Sequence, residues 1–299
     1  MVQYLLVVLA FVALMLDLSS AFVPRIAASS RQTWSSKQQL SMAVDGKINV
    51  YKTKDDVALA LCTEIIEEAQ GAIGSRGKFT IAIPGGSVLK MLSKLCTMPE
   101  AKSLDWSKVF LYYVNHKVVA PDDPSSTHLK AESIFIKDLG LPLANVAQIL
   151  NDGKLDLEAT AKDYQRQIAK NVKQVGGLPY FDYMLLGMGA DGHIGSLYPA
   201  TANNKEILQD SYTFHVLAVD KKTPGSITFA LPVMNAAREI RVVVTGEDKK
   251  EAALTGISAK EVLYKFPAIG LDPTLTKWMM DEAAGALCVQ GKVAGLKVY

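Results

Sequence analysis

Cysteine is scarce in this chain of 299 residues, and its spacing limits the chemistry it can support. The three cysteines, Cys62, Cys96 and Cys288, are odd in number, and none lies in a CxxC pair. A disulfide framework uses an even set of cysteines, and a structural zinc site uses closely spaced thiolate pairs. The sequence therefore predicts neither a disulfide scaffold nor a metal site, and we expect the thiols to be reduced.

Acidic residues are missing from a long stretch at the N-terminal end. An apolar run at Leu5–Leu16 has the length of a signal peptide, about half of the roughly 20 residues that a transmembrane helix needs. The small-residue sequence "SSA" follows, and Leu18–Val44 then contains many serines and three basic residues but no Asp or Glu. Because this composition is typical of a transit peptide, we predict that residues 1–44 are a signal peptide followed by a transit-like presequence.

The junction "SSAFVP" makes the predicted destination more specific. With Phe22 just after the expected cleavage point, it resembles the bipartite presequences that direct proteins into the complex plastids of algae. The first four residues, "MVQY", lack the Lys or Arg of an ordinary signal peptide. The predicted location is a plastid, and the secretory pathway is the alternative. The apolar run itself could instead be a membrane anchor or a buried helix. After processing we expect no stable association with a membrane.

The rest of the chain has no excess of charge of either sign. Removing residues 1–44 takes away Arg25, Arg31, Lys37 and Asp17, so that the 32 basic and 30 acidic residues of the chain become 29 of each. A surface that binds nucleic acid or an anionic membrane needs a basic excess. The sequence therefore predicts no nucleic-acid partner, and an anionic ligand has to be held by a local site.

Continuous apolar segments recur along the chain. The segments "KFTIAI", "VFLYYV", "FDYMLLGMG" and "EIRVVVTG" have the hydrophobicity of strands that are buried on both faces of a parallel sheet. The first and the last of them lead into the helix-like sequences "VLKMLSKLC" and "EDKKEAALTGI". Repetition of strand, glycine turn and helix is the pattern of a parallel α/β sheet.

Helical periodicity fills the intervals between these strands. Thr53 and Asp56 are spaced as a capping box at the start of one predicted helix. In another, apolar residues recur every four positions from Tyr164 to Val172, and Gly176-Gly177 form the expected stop. We predict a single α/β domain over residues 45–299, which is Rossmann-like and doubly wound, with a mostly parallel sheet flanked by helices.

A glycine turn, Gly85-Gly86-Ser87, follows the strand "KFTIAI" and precedes a predicted helix. It is not the phosphate-binding loop of a nucleotide-binding protein, because no GKS or GKT follows it and it does not begin a GxGxxG motif. Its backbone N–H groups are suited to phosphate, although GGS after a strand is also an ordinary tight turn.

Histidine is scarce as well, and one of the four lies in an unusual position. Asp191 and His193 follow the strand "FDYMLLGMG" within the sequence "ADGHIG", at the edge where parallel sheets bind ligands. A histidine there can take a proton from water, and a neighbouring carboxylate can fix its tautomer. The alternative is a turn in which the aspartate caps a helix and the histidine fills space.

Four segments together resemble a known enzyme family. The sequences "AIPGGSVLKML", "FDYMLLGMGADGHIGSLYP", "ITFALPVMNAAREIRVVVTGEDKKEAAL" and "KWMMDEAAGAL" occur in the order typical of the 6-phosphogluconolactonase family. The similarity covers about residues 48–295. It extends to the wider sugar-phosphate group that also contains glucosamine-6-phosphate deaminase.

The resemblance implies an activity and a set of site residues. The expected reaction is hydrolysis of 6-phosphogluconolactone, a small phosphorylated sugar lactone, in the pentose phosphate pathway without a cofactor. His193 matches the residue proposed as general base in this family, and Asp191 matches its neighbouring carboxylate. Substrate-binding residues are then expected at the following positions: Gly85, Gly86, Ser87, His116, Lys117 and Lys249.

Two departures from the family pattern leave alternatives open. Where the family usually has Asp-Glu-Arg, this chain has Asn115, His116 and Lys117, and Ser226 replaces an arginine before the "IT" of a predicted helix. Two cations expected to hold phosphate are thus changed, because lysine lacks the planar fork of arginine and serine carries no charge.

The chain can compensate for these changes or lose activity through them. Compensation could come from His116, Lys117 and either Lys221 or Lys222. The alternative is a non-catalytic paralogue that binds a sugar phosphate on the same fold. A deaminase-type isomerase is less compatible, because the Asn-Glu-Pro of that branch is replaced here by "LYP".

Overall fold

A computed structural model describes residues 47–149, 156–200 and 215–299. The presequence predicted at residues 1–44 lies outside these residues. The described strands are β1 (Ile48–Tyr51), β2 (Phe79–Ile83), β3 (Val109–Tyr113), β4 (Asn115–Lys117), β5 (Gln174–Val175), β6 (Leu178–Pro179), β7 (Tyr183–Gly187), β8 (Val216–Val219), β9 (Ser226–Phe229), β10 (Ile240–Val244), β11 (Thr276–Asp281) and β12 (Leu296–Val298).

Helices lie between these strands. The described α-helices are α1 (Lys54–Arg76), α2 (Gly86–Met91), α3 (Pro99–Lys102), α4 (Thr127–Ala131), α5 (Leu157–Asn171), α6 (Leu231–Asn235), α7 (Lys250–Ser258) and α8 (Glu282–Gln290). The segment Leu92–Thr97 extends α2 as a 3-10 helix, and Glu132–Ile136 extends α4 as a π-helix. Within the described residues, no helix is both long and apolar enough to cross a membrane.

Seven strands form the central sheet of the molecule. Their order is β12-β1-β11-β10-β7-β2-β3, and every neighbouring pair is parallel. Ile81 and Ile83 of β2 pack in one hydrophobic cluster with α1, whereas Ala82 belongs to the cluster on the other face, with α5 and α7. Burial on both faces explains the continuous hydrophobicity of the strands. The predicted doubly wound fold is confirmed, with a sheet that is wholly parallel.

Helix α1 begins where its sequence predicts. The Thr53 side chain accepts the Asp56 N–H at 3.1 Å, and the Asp56 carboxylate accepts the Thr53 N–H at 3.0 Å, which completes the predicted capping box. One turn later the buried face starts, with Val57, Leu61 and Ile65 against the sheet. Burial of each such side chain contributes about 1.5–3 kcal/mol.

The connections of the sheet reverse direction between β2 and β7. From β2 the chain moves outward to β3, and it then returns to form β7 on the other side of β2 before continuing to β10. Ile81 of β2 is paired with Tyr183 of β7, so the turns after these two strands leave the same edge of the sheet. Open α/β sheets bind ligands at such a switch point.

A second, antiparallel sheet corrects one element prediction. Strands β4, β9 and β8 form this three-stranded sheet, and the "IT" after Ser226, which we expected in a helix, lies in β9. The following residues do form α6, but only from Leu231 onward. This segment is a strand because its backbone pairs with β4 and β8, and the local sequence pattern does not show such pairing.

Helix α5 ends before Gly176-Gly177, where the sequence predicts its stop. The helix stops at Asn171, and Val172 is buried but extended. Gly176 and Gly177 have φ values of 60° and 83° and form the two-residue loop between β5 and β6. A hairpin turn with positive φ at both positions favours Gly-Gly, so the glycines belong to a hairpin and not to a helix stop.

Candidate active site

The turn after β7 brings Asp191 and His193 together. The Nδ1 atom of His193 lies 2.5 Å from Oδ1 of Asp191, and the same oxygen accepts the backbone N–H of His193 at 3.2 Å. Because a carboxylate only accepts hydrogen bonds, Nδ1 carries the proton and Nε2 presents a lone pair. No described residue hydrogen bonds to Nε2, and 28% of the His193 side chain is exposed. The imidazole is therefore placed to act as a base.

Asp191 is held in the charged form that this arrangement needs. Partial burial raises the pKa of its carboxyl group, but the hydrogen bonds from the His193 ring and backbone outweigh burial, and the net pKa lies below the ordinary value. An ionised Asp191 fixes the tautomer of His193 and stabilises the imidazolium that forms when Nε2 takes a proton.

Gly189 makes this close pairing possible. A Cβ atom at residue 189 would lie 2.1 Å from Nδ1 of His193 and 2.6 Å from Oδ1 of Asp191. Real Cβ atoms do not approach other atoms so closely, so any other residue would displace the ring. Glycine is needed at this position because the imidazole lies directly against the backbone.

The glycine turn after β2 lies beside this pair. Gly85 precedes the first turn of α2 without a side-chain cap, Gly86 has a φ of 76°, and both Gly86 and Ser87 are exposed. The first N–H groups of a helix have no partners within the helix, and they can bind an anion.

A chain of polar side chains joins the two turns. Asn115 accepts the Gly85 N–H over a long 3.5 Å, and its Nδ2 donates to the Ser196 Oγ at 3.2 Å. Ser226 donates to the same Ser196 oxygen at 2.9 Å. Since Ser196 is only three residues beyond His193, this network fixes His193 relative to the glycine turn.

Lys117 and Ser226, the two positions that depart from the family pattern, are paired across the antiparallel sheet. They are direct cross-strand partners in β4 and β9, so their side chains share one face. Lys117 is exposed, whereas Ser226 is 8% exposed and is engaged with Ser196. Of the two positions at which the resemblance predicts a cation, Lys117 therefore carries a charge and Ser226 does not.

Lys249 lies at the same edge of the sheet, next to α7. It ends the 3-10 turn Glu247–Lys249, which follows β10, and its side chain is partly exposed. Strand β10 is the neighbour of β7, with Val243 paired to Gly187. This register places the turn of Lys249 beside the turn of His193.

His116 occupies a different position from the other predicted site residues. It is 2% exposed, its Nδ1 donates to the Lys117 carbonyl at 2.7 Å, and its Nε2 accepts the His128 N–H at 3.0 Å. Side chains alternate along a strand, so His116 points away from the face of Lys117. Neither ring nitrogen is free for a ligand, and the ring instead ties β4 to the start of α4.

The burial of His116 predicts how stability depends on pH. Burial lowers its pKa from 6.5 to about 4, with a further lowering by His128 and a partial offset by the bond to Lys117. Between these two pH values, His116 therefore binds a proton in the unfolded chain but not in the folded chain. We expect the free energy of unfolding to fall, by up to about 3 kcal/mol, as the pH drops from 6.5 to 4. An NMR titration in which the His116 ring becomes charged near pH 6.5 would contradict this prediction.

Comparison with known proteins identifies the family. The family model described as glucosamine-6-phosphate isomerases/6-phosphogluconolactonase matches residues 52–280. The chain belongs to this family. A relative from Oryza sativa subsp. indica, named probable 6-phosphogluconolactonase 2, is 32% identical over 256 residues, which cover 81% of this chain and 90% of the relative.

Two further comparisons extend this result. The Arabidopsis thaliana protein named 6-phosphogluconolactonase 3, chloroplastic, is 29% identical over 249 residues, which cover 80% of this chain and 74% of the Arabidopsis protein. The solved structure of 6-phosphogluconolactonase from Trypanosoma brucei has a TM-score of 0.70 and covers 82% of this chain and 99% of that chain. Its identity to this chain is 22%, and it therefore supports the fold alone.

In this member of the 6-phosphogluconolactonase family, Ser196 and Tyr198 also lie near His193, although the sequence did not single them out. The Tyr198 ring lies 4.9 Å from the His193 ring, and the Lys222 Nζ atom lies 4.4 Å from the centroid of the Tyr198 ring. Ser196 connects the two turns, as described above. The polar residues that follow "ADGHIG" were the available signal, but only the fold shows what they contact. The described residues contain no group of three or more His, Cys, Asp and Glu side chains that could hold a metal ion.

Proposed function

We propose that the protein hydrolyses 6-phosphogluconolactone to 6-phosphogluconate in the oxidative pentose phosphate pathway. The observation that carries the proposal is the Asp191–His193 pair at 2.5 Å, beside a glycine turn at the switch point of the sheet, with no described residue hydrogen bonded to Nε2. A lactone is an activated ester, so a general base and groups that bind the phosphate are sufficient for catalysis. No nucleophilic side chain and no cofactor are required.

The reaction adds one water molecule across the lactone bond. Nε2 of His193 takes a proton from water as the water oxygen attacks the carbonyl carbon, and Asp191 stabilises the resulting imidazolium. The tetrahedral intermediate then collapses, and the bond between the carbonyl carbon and the ring oxygen breaks. The imidazolium returns its proton to the leaving oxygen, which becomes a hydroxyl group, and the neutral base is regenerated.

The remaining predicted residues bind the anionic part of the substrate. The backbone N–H groups of the exposed residues Gly86 and Ser87 form one side of the phosphate site, and Lys117 and Lys249 supply positive charge. His116 takes no direct part, because both of its ring nitrogens are engaged. It positions the strand that carries Lys117.

Replacing Lys117 by alanine should raise KM about tenfold or more and change kcat less. The reason is that a charge-assisted hydrogen bond to phosphate stabilises the bound substrate and the transition state equally. Lys117→Arg should preserve or improve binding, since a guanidinium can engage two phosphate oxygens. Lys297→Ala, which removes an exposed lysine from the edge strand β12, is the matched control. An unchanged KM for Lys117→Ala would remove Lys117 from the substrate site.

Two other functions remain to be separated from the lactonase. A non-catalytic paralogue is favoured by the uncharged Ser226, and it would bind 6-phosphogluconate without hydrolysing the lactone. A deaminase-type isomerase is less compatible, because Leu197, Tyr198 and Pro199 replace the acidic tripeptide of that branch. The deciding experiment is a lactonase assay on the full chain and on the chain without residues 1–44, with spontaneous lactone opening subtracted at matched pH. No excess hydrolysis at high enzyme concentration, with Asp191 and His193 intact, would overturn the lactonase proposal.

We also propose that the protein acts in a plastid. The chloroplastic name of the Arabidopsis relative supports this location, as does the acid-free segment before residue 45. A fluorescent protein fused to residues 1–44 should enter the plastid of an alga with complex plastids. Phe22→Ala should stop it before the stroma. Cytosolic fluorescence from the unaltered fusion would refute the proposed location.

A further inference from the structure

A lysine that is distant in sequence lies close to the catalytic histidine. The Nζ atom of Lys222 is 4.4 Å from the centroid of the Tyr198 ring, which is 4.9 Å from the His193 ring. The ammonium group is therefore at most 9.3 Å from the His193 ring, the total of these two distances. The aromatic face attracts the cation and limits where the long side chain of Lys222 can lie.

The loop of Lys222 is fixed to the strand of Lys117. The backbone N–H of Val118, the residue after Lys117, donates to the Gly225 carbonyl at 2.9 Å. Lys222 lies three residues before Gly225 and four before Ser226, the position where the family usually has an arginine. Lys117 and Lys222 are thus carried by two adjoining segments on the side of the site where Ser226 supplies no charge.

The charge of the substrate phosphate favours a further cation on this side. A phosphate monoester carries close to two negative charges near neutral pH. Lys117 supplies one positive charge here, whereas the turn of Lys249 follows β10, on the other side of β7 from the glycine turn. In a 6-phosphorylated δ-lactone the ring oxygen, C5 and C6 separate the carbonyl carbon from the phosphate. A cation some 9.3 Å or less from the base, with water and lactone between them, can reach the phosphate.

Building on the lactonase function proposed above, we propose that Lys222 binds the substrate phosphate and replaces the arginine that is missing at position 226. The adjacent Lys221 has no hydrogen bond, ion pair or ring contact with the described residues, whereas Lys222 is held over Tyr198. This difference assigns the role to Lys222. Tyr198 then has two neighbours, the base on one side and the phosphate-binding cation on the other.

The test compares Lys222→Gln with Lys221→Gln in the full chain. Lys222→Gln should raise KM for 6-phosphogluconolactone about tenfold or more and change kcat less than threefold, and Lys222→Arg should restore KM. Lys221→Gln should change KM less than about twofold. With unphosphorylated gluconolactone, kcat/KM should be the same for all four proteins, because no phosphate is present to lose a contact. Calorimetric titration with 6-phosphogluconate should show the same shift in Kd.

The outcomes separate this inference from the function on which it rests. Equal KM and Kd values for Lys222→Gln and Lys221→Gln, with an active wild type, would overturn the role of Lys222 alone. An equal loss of kcat/KM with both lactones would also overturn it, since Lys222 would then act on His193 and not on phosphate. If the wild type binds 6-phosphogluconate without hydrolysis, the Kd comparison still decides the role of Lys222. A wild type that neither hydrolyses the lactone nor binds 6-phosphogluconate would refute the proposed function and this inference with it.

Discussion

Replacing His193 by alanine should lower kcat by about 100- to 10,000-fold without unfolding the protein. General base catalysis contributes about this factor, and in the proposed mechanism Nε2, to which no described residue hydrogen bonds, takes the proton from water. The ring is partly exposed, and within the described structure its side-chain hydrogen bond is to Asp191. Its loss therefore leaves no deeply buried group without a partner, and the melting temperature should change little. Steady-state hydrolysis, corrected for spontaneous opening, and thermal unfolding measure the two effects.

Two further variants make this result specific to His193. His215→Ala removes a second partly exposed imidazole. In the described residues only the backbone of His215 takes part in hydrogen bonds, so this variant should leave kcat unchanged. Asp191→Asn should reduce kcat less than His193→Ala does, because the base remains but its tautomer and its imidazolium lose support. Near-normal turnover by His193→Ala would exclude His193 as the base.

The central sheet could be predicted from the sequence because its strands carry a local signal. The segments that became β2, β7 and β10 are continuously apolar, since helices cover both faces of the sheet. The glycines that follow β2 and β7 then mark the carboxyl edge. Asp191 and His193 could be assigned to this edge without any knowledge of the tertiary contacts.

The antiparallel sheet and its side of the site could not be predicted in this way. Strand β4 has three residues, too few to show a period, and the sequence predicts a helix where β9 lies. Without the strand, nothing indicated that His116 and Lys117 face opposite ways or that Lys117 faces Ser226. The contact between Lys222 and Tyr198 joins segments far apart in the chain, so it depends on the complete fold.

Gly189→Ala should lower kcat about 100-fold, although it removes no reacting group. The new Cβ atom would lie 2.1 Å from Nδ1 and 2.2 Å from Cε1 of His193, so the ring has to move by about 1 Å. A misplacement of that size is enough to cost about two orders of magnitude in rate. The φ angle of Gly189 is not in the left-handed region, so alanine introduces no backbone strain. Because the imidazole can swing toward solvent, we expect a large loss of activity with a small loss of stability.

The design of this experiment distinguishes displacement of the base from general damage. Gly71→Ala is the matched control, since Gly71 is exposed within α1 and a Cβ there meets nothing within 4 Å. It should leave kcat unchanged and stabilise the fold by about 0.5–1 kcal/mol, the gain of alanine over glycine inside a helix. The double variant Gly189→Ala/His193→Ala should be no slower than His193→Ala alone, because a base that is absent cannot be displaced. If the two losses multiply instead, Gly189 acts by a route other than His193, and the close contact between this glycine and the imidazole is not what sets the rate.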